Sequence, residues 1–166
     1  YGIQLSVNSI KLLNKIEFYK VKNDKKFNPT KINFYSIKNL NKICDLNISD
    51  FNSEDCKYTT LRRSELVNFL KVDLEGLIKT NYSINKIQQE NEKIKLSFEN
   101  NETTECDCLI ISDGVFSKSK SLITNDQNKP KYNNTLAIRG TIPRTYHNID
   151  NKNISLFLGP DFHNVI

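Results

Sequence analysis

The sequence predicts an α/β fold of the mixed α+β type, and three observations carry that expectation. Several short runs alternate apolar with polar residues, the period of half-buried strands. One longer stretch repeats its apolar residues at three and four, the spacing of an amphipathic helix. The helical signals also cluster apart from the strand signals instead of alternating with them one for one. With 166 residues the chain is long enough for one domain with a real core or for two small lobes, and it carries no internal repeat.

Taken in order, Gly2 to Leu5 reads as extended, and Ser6 is a candidate N-cap for a short helix whose apolar face is Ile10, Leu13 and Leu12. Residues 20–28 are polar and charged and read as a loop. Residues 31–37 alternate Ile32, Phe34 and Tyr35 with polar neighbours, a half-buried strand, and a second strand is expected within 39–47 around Ile43 and Leu46. Residues 58–79 give the strongest helical signal: Leu66, Phe69, Leu70, Leu74, Leu77 and Ile78 recur at helical spacing. Three alternating segments, 82–89, 93–99 and 103–108, are separated by short polar turns and read as a β-meander.

The meander leads into Leu109, Ile110 and Ile111, an apolar run too short for a helix and expected to be a buried strand. Ser112-Asp113-Gly114 ends it as a tight turn, and Ser117 is the expected N-cap of a short helix through Leu122 and Ile123. After a loop at 125–132, strands are expected at 135–142 and 154–158, the second stopped by Gly159-Pro160, with a strand-like run from His163 to Ile166.

The net charge of +5 comes from 24 Lys and Arg against 19 Asp and Glu, which raises the question of an anionic partner. The cations are scattered, only Arg62, Arg63, Arg139 and Arg144 are arginines, and no basic cluster is interleaved with aromatics, so nucleic-acid binding is not expected. The four cysteines, Cys44, Cys56, Cys106 and Cys108, form no Cys-x-x-Cys pair and have no neighbouring His, so no metal site is expected. Cys106 and Cys108 read as small buried thiols on one strand face. No signal peptide or run of about twenty apolar residues is present, and the expected setting is a reducing cytoplasm. The chain begins at Tyr1 without an initiator Met and contains no Met, which we read as an internal fragment of a longer protein.

Three places carry candidate chemistry. Asp113-Gly114 follows an apolar run and precedes a helix start, which fits either an ordinary turn or a place where a ligand approaches the backbone. Arg62 and Arg63 stand at a helix beginning, the unfavourable end for cations; they point either into solvent or towards a phosphate. His163, in Gly-Pro-x-x-His, is a candidate general base ahead of His147, although a lone His at a strand end also serves as a plain surface residue.

Five stretches in this order resemble the FAD-dependent aromatic hydroxylases, the single-component flavoprotein monooxygenases of the salicylate hydroxylase, para-hydroxybenzoate hydroxylase and ubiquinone-biosynthesis hydroxylase type. They are Gly2-Ile3-Gln4-Leu5-Ser6-Val7-Asn8, residues 59–66 with Arg62-Arg63-Ser64-Glu65-Leu66, residues 107–117 around Asp113-Gly114, Arg139-Gly140-Thr141-Ile142-Pro143, and Gly159-Pro160-Asp161-Phe162-His163. Arg63 matches the Arg of the family's His-Arg-x-x-Leu helix start, with Arg62 in place of the His. Ile111-Ser112 stands where a Gly-Ala pair is usual.

The resemblance implies the central part of a Rossmann-like FAD-binding domain with a β-meander, plus part of a β-sheet substrate-binding lobe. Residues 1–30 and 57–130 would belong to the FAD domain, 31–56 would be an excursion into the substrate lobe, and 131–166 would be an incomplete part of that lobe. It implies FAD as cofactor, NADH or NADPH as co-substrate, and a small aromatic phenol and molecular oxygen as substrates. Arg63, Asp113, Gly114 and Gln4 would lie at the cofactor, and His163 would be the catalytic base. No transmembrane segment is implied; peripheral membrane contact would follow for a quinone-precursor substrate, and a homodimer is left open. Three alternatives stay open: a ubiquinone-biosynthesis ring hydroxylase, a reductase or halogenase on the same FAD scaffold, and a non-catalytic flavin-binding-like module. The family's Gly-x-Gly-x-x-Gly turn and its later Gly-Asp motif are absent, so the 166-residue chain is not expected to hold FAD stably.

Overall fold

The computed structural model describes residues 1–124, 130–141 and 152–166. In chain order the elements are β1 (Gly2–Leu5), α1 (Val7–Leu13), β2 (Lys26–Phe27), β3 (Lys31–Ser36), β4 (Lys42–Asn47), β5 (Thr59–Arg62), α2 (Arg63–Lys71), β6 (Ile84–Glu90), β7 (Lys93–Phe98), β8 (Thr103–Cys106), α3 (Lys118–Thr124), β9 (Ile154–Leu158) and β10 (His163–Val165). They fall into two compact units, one of residues 1–75 with 138–166, the other of residues 76–137.

The first unit holds two sheets. The smaller has the order β1-β5-β2, antiparallel throughout, with Gly2 opposite Arg62, Gln4 opposite Thr60, and Phe27 opposite Thr60. Its inner face is apolar because Ile3, Leu5 and Leu61 alternate inward and pack with Ile10, Leu13, Phe18, Val21, Leu66 and Phe69. Phe18 is 2% exposed and meets Phe69 edge to face, the ring centroids 5.2 Å apart. Ser6 stands at the N-cap of α1 as expected, although its hydroxyl contacts Ser9 Oγ at 3.3 Å instead of capping a backbone N–H.

The second sheet has the order β10-β9-β3-β4, with β9 parallel to β3 and the other pairs antiparallel. It unites the chain stretches 31–47 and 154–165, which lie more than a hundred residues apart. Tyr35 stacks on Phe157, centroids 5.1 Å apart, across the parallel pair. Leu158 to His163 closes as a hairpin in which Gly159 N–H donates to the Phe162 carbonyl, and a Cβ on Gly159 would come within 2.7 Å of the Phe162 ring.

The other unit contains the expected meander, order β6-β7-β8, antiparallel throughout, with Leu96 and Phe98 buried beneath it. Asn91 and Asn101 supply the positive-φ positions of its two turns, a conformation that Asn tolerates better than most residues.

Five expectations are corrected. The helix expected over 58–79 is α2 alone: Thr59 and Thr60 are drawn into the central strand β5, where β-branched residues fit and both edges are paired. Beyond Lys71 the left-handed Asp73, φ 67°, interrupts any helix, and Leu74, Leu77 and Ile78 stay exposed for want of a surface to pack on. Leu109 to Ile111 is not a buried strand; no described strand pairs with it and Ile110 is 84% exposed. Cys108 is likewise exposed and Cys106 only half-buried. The loop expected over 20–28 contains β2, and residues 135–141 are irregular where a strand was expected, with Ile142, Arg144 and His147 outside the described residues.

Candidate functional site

The open face of the β1-β5-β2 sheet gathers polar side chains because strand alternation allows nothing else. With Ile3, Leu5, Thr59 and Leu61 turned inward, Gly2, Gln4, Tyr58, Thr60 and Arg62 must share the outer side, together with Phe27 opposite Thr60. Gly2, Phe27, Thr60 and Arg62 line a groove there. Gly2 contributes no side chain, and a Cβ at that position would meet only the Leu61 carbonyl oxygen, at 3.9 Å. The space above Gly2 is therefore left for something other than the chain's own packing.

Gln4 lies in this face, and its Oε1 accepts a hydrogen bond from the Tyr58 hydroxyl at 2.9 Å. Burial of its ring raises the Tyr58 phenol above its ordinary value, which extends the protonated range further into alkaline pH. Tyr58 itself was not singled out in the sequence. The period-two run Tyr58, Thr60, Arg62 was the available signal, hidden because residues 58–62 read as helix.

The two arginines are placed differently. Arg62 is the extended N-cap of α2 and its side chain lines the groove; Arg63 is the first helical residue, exposed, with its backbone N–H donated to the Tyr1 carbonyl at 3.0 Å. Neither guanidinium forms an ion pair among the described residues, whereas nearby Lys25 is paired with Glu65 at 3.0 Å. Two unpaired cations at a helix start remain an electrostatic cost that an anion would relieve.

In the other unit the turn falls later than expected: Gly114 opens it, Val115 and Phe116 are its central residues, and the Ser117 N–H donates to the Gly114 carbonyl at 3.1 Å, while Ser112 and Asp113 lead into it as irregular chain. Gly114 has φ 82°, and a Cβ there would meet nothing within 4 Å, so backbone conformation rather than space calls for glycine. Ser117 caps α3, its Oγ accepting from the Lys120 N–H at 3.0 Å, while an Asp113 oxygen accepts from the Ser119 N–H at 3.2 Å. Hydrogen bonding from Ser117, then from Ser119, holds the Asp113 carboxyl below the usual carboxylate range. The carboxylate is thus already engaged by the first turn of α3, and the start of that helix is answered by the chain's own groups.

His163 opens β10, opposite Leu158, with its side chain exposed and without a hydrogen-bond or ion-pair partner among the described residues. The structure therefore brings Gln4 and Arg62 onto one face, sets Arg63 just beyond its edge, and puts His163 on the other sheet of the same unit. Among the described residues no cluster of three metal-ligating side chains occurs, and no helix is long and apolar enough to cross a membrane.

The fold resembles part of that of several solved flavoprotein monooxygenases. A 2,6-dihydroxypyridine-3-hydroxylase from Arthrobacter nicotinovorans matches 99% of this chain and 40% of its own, with a TM-score of 0.70 at 13% identity. Klebsiella pneumoniae HpxO, solved with FAD and uric acid, matches 72% of this chain and 31% of its own, with a TM-score of 0.63 at 12% identity. An FAD-containing monooxygenase assigned in Photorhabdus luminescens matches 73% and 30%, with a TM-score of 0.58 at 20% identity. The chain thus spans about a third of the length of these structures, and the likeness establishes the fold that the sequence motifs resemble. No family model and no curated sequence matches the chain.

Proposed function

We propose that this chain is the central portion of an FAD-dependent monooxygenase that uses NADH or NADPH to hydroxylate a small phenolic ring. The match to a hydroxylase over 99% of the chain is the observation that carries this reading. The open face fits the ring end of a flavin: Gly2 leaves space, Gln4 and Thr60 offer polar groups, and Arg62 adds a cation at the rim. The pyrophosphate end finds no Gly-x-Gly-x-x-Gly turn in these residues, which supports the expectation that the chain alone does not hold FAD stably.

When bound, FAD supplies the activation of oxygen, and the protein supplies position, charge and exclusion of water. In this reading Gln4 and Arg62 orient the ring system, Arg63 serves an anionic part of the cofactor, and Gly114 lets the dinucleotide approach its backbone. Asp113 holds the Gly114 turn and has a second oxygen for a ligand hydroxyl. His163 is the candidate base for the phenolic proton, exposed at the head of β10. The pairing of β3 and β4 with β9 and β10 supports placing 31–47 and 154–165 in one substrate lobe, and the pairing of β1 and β2 with β5 supports keeping 1–30 with the start of 57–130; the rest of the assignment, 31–56 with 131–166 and 1–30 with 57–130, is what the resemblance implies.

The test uses the complete reading frame that encodes this chain. The purified protein is expected to be yellow, to oxidise NADH or NADPH faster with one of a panel of phenolic acids, and to release a hydroxylated product. A colourless protein that consumes neither nucleotide with any phenol would refute the proposal.

A further inference from the structure

The strongest feature outside the residues predicted from the sequence is the support built around Tyr58. The backbone N–H of Tyr58 donates to Asn52 Oδ1 at 2.8 Å, and its carbonyl accepts from Asn28 Nδ2 at 3.0 Å. The same Asn28 nitrogen reaches Thr59 Oγ1 at 2.8 Å. Two asparagines from separate loops therefore clamp the head of β5, and the phenol projects from that clamp to Gln4 Oε1. Tyr58 is half-buried while Gln4 is exposed, so the fixed partner orients the free one.

We propose that Tyr58 is a positioning residue that locks the Gln4 carboxamide with its oxygen occupied and its NH₂ group turned to the open face. A free glutamine presents either end of its amide to a ligand; here one lone pair of the oxygen is taken by Tyr58, and the oxygen end is held against the phenol while both N–H donors stay unengaged among the described residues. The face is thereby selective for the hydrogen-bond-accepting edge, a ring carbonyl or ring nitrogen, of a planar heterocycle. This rests on the proposed placement of Gln4 at the cofactor; a phenol carries its proton at neutral pH, so the Tyr58 hydroxyl is available as the donor there.

The experiment uses the protein of the complete reading frame that encodes this chain, with ¹⁵N labelling, glutamine side chains included, and flavin mononucleotide as probe, which carries the ring without needing a pyrophosphate turn. In the unmodified chain the two Gln4 NH₂ protons are expected to be well separated and to shift on titration. Tyr58→Phe keeps the buried ring and removes only the donor; it should return the two resonances to the positions of an unstructured glutamine and weaken the titration roughly five-fold, the size of one neutral hydrogen bond. Gln4→Glu keeps an acceptor for Tyr58 and removes both donors, so it should lose the response to flavin while the Tyr58 hydroxyl stays bonded.

Gln4 resonances identical with and without the Tyr58 hydroxyl would overturn the positioning role. A Gln4→Glu chain that binds the probe as tightly as the unmodified one would overturn the donor assignment. If Tyr58→Phe frees Gln4 but the probe moves no resonance of Gly2, Gln4 or Thr60 in the unmodified chain, the positioning role stands and the cofactor reading of this face fails.

Discussion

Replacing Phe18 with Ala tests whether the open face depends on the core behind it. The ring is 2% exposed, packs edge to face on Phe69, and joins Ile10 and Leu61 in the cluster backing β1 and β5. Deleting a buried phenyl ring costs about 3 to 5 kcal/mol, the transfer term plus that of the cavity left behind. Domains of this size have roughly 5 to 15 kcal/mol in total, so the loss is a large fraction of the whole. With a urea dependence of about 2 kcal/mol per molar, the midpoint should fall by about 2 M. Because the two units need not unfold together, amide exchange at Ile3, Gln4 and Leu61 is the sharper assay; these amides should lose protection while those of β7 keep theirs. Phe18→Leu should cost less, since it keeps most of the volume. A midpoint that moves by less than about 0.3 M would refute the placement of Phe18 at the centre of this core.

Four further outcomes are expected. The depressed Asp113 carboxyl stabilises the α3 turn above the ordinary carboxylate pKa and loses that contribution as the pH falls through its lowered value; amide exchange at Ser119 and Lys120 should show this loss, and Asp113→Asn should abolish the pH dependence. Removing the other cap by Ser117→Ala should cost about 1 kcal/mol, read from the same amides, and should also reduce the pH dependence, because Ser117 is the first cause of the depressed Asp113 carboxyl. Gly114→Ala should destabilise the turn by about 1 to 2 kcal/mol through its positive φ alone, measured by urea unfolding, because the added methyl meets nothing. Arg63→Glu should stabilise α2 by about 0.3 to 1 kcal/mol in thermal unfolding at low salt, and it should weaken binding of an anionic cofactor if Arg63 serves one.

Much of the layout was legible because it is local. The meander, the strands around Phe34 and Leu156, the cap at Ser117 and the turn at Gly114 follow from alternation, turn residues and a missing Cβ, each of which acts within a few neighbours. The candidate site was legible only in part. Gln4 and the arginine pair were visible as residues, but the misassigned helix over 58–62 hid the face that joins them.

Local pattern by itself determined where the chain turns, which segments alternate, and the succession of motifs that resembles a flavin hydroxylase. Tertiary structure decided that Thr59 to Arg62 is a central strand, since pairing on both edges outweighs a helical run of apolar residues further along. It decided that Leu109 to Ile111 has no strand partner among the described residues, since an apolar run becomes a strand only where another strand receives its hydrogen bonds. It also decided which of two adjacent arginines lines the groove. In sequence Arg62 and Arg63 are one feature; the last residue of a strand and the first of a helix send their side chains in different directions.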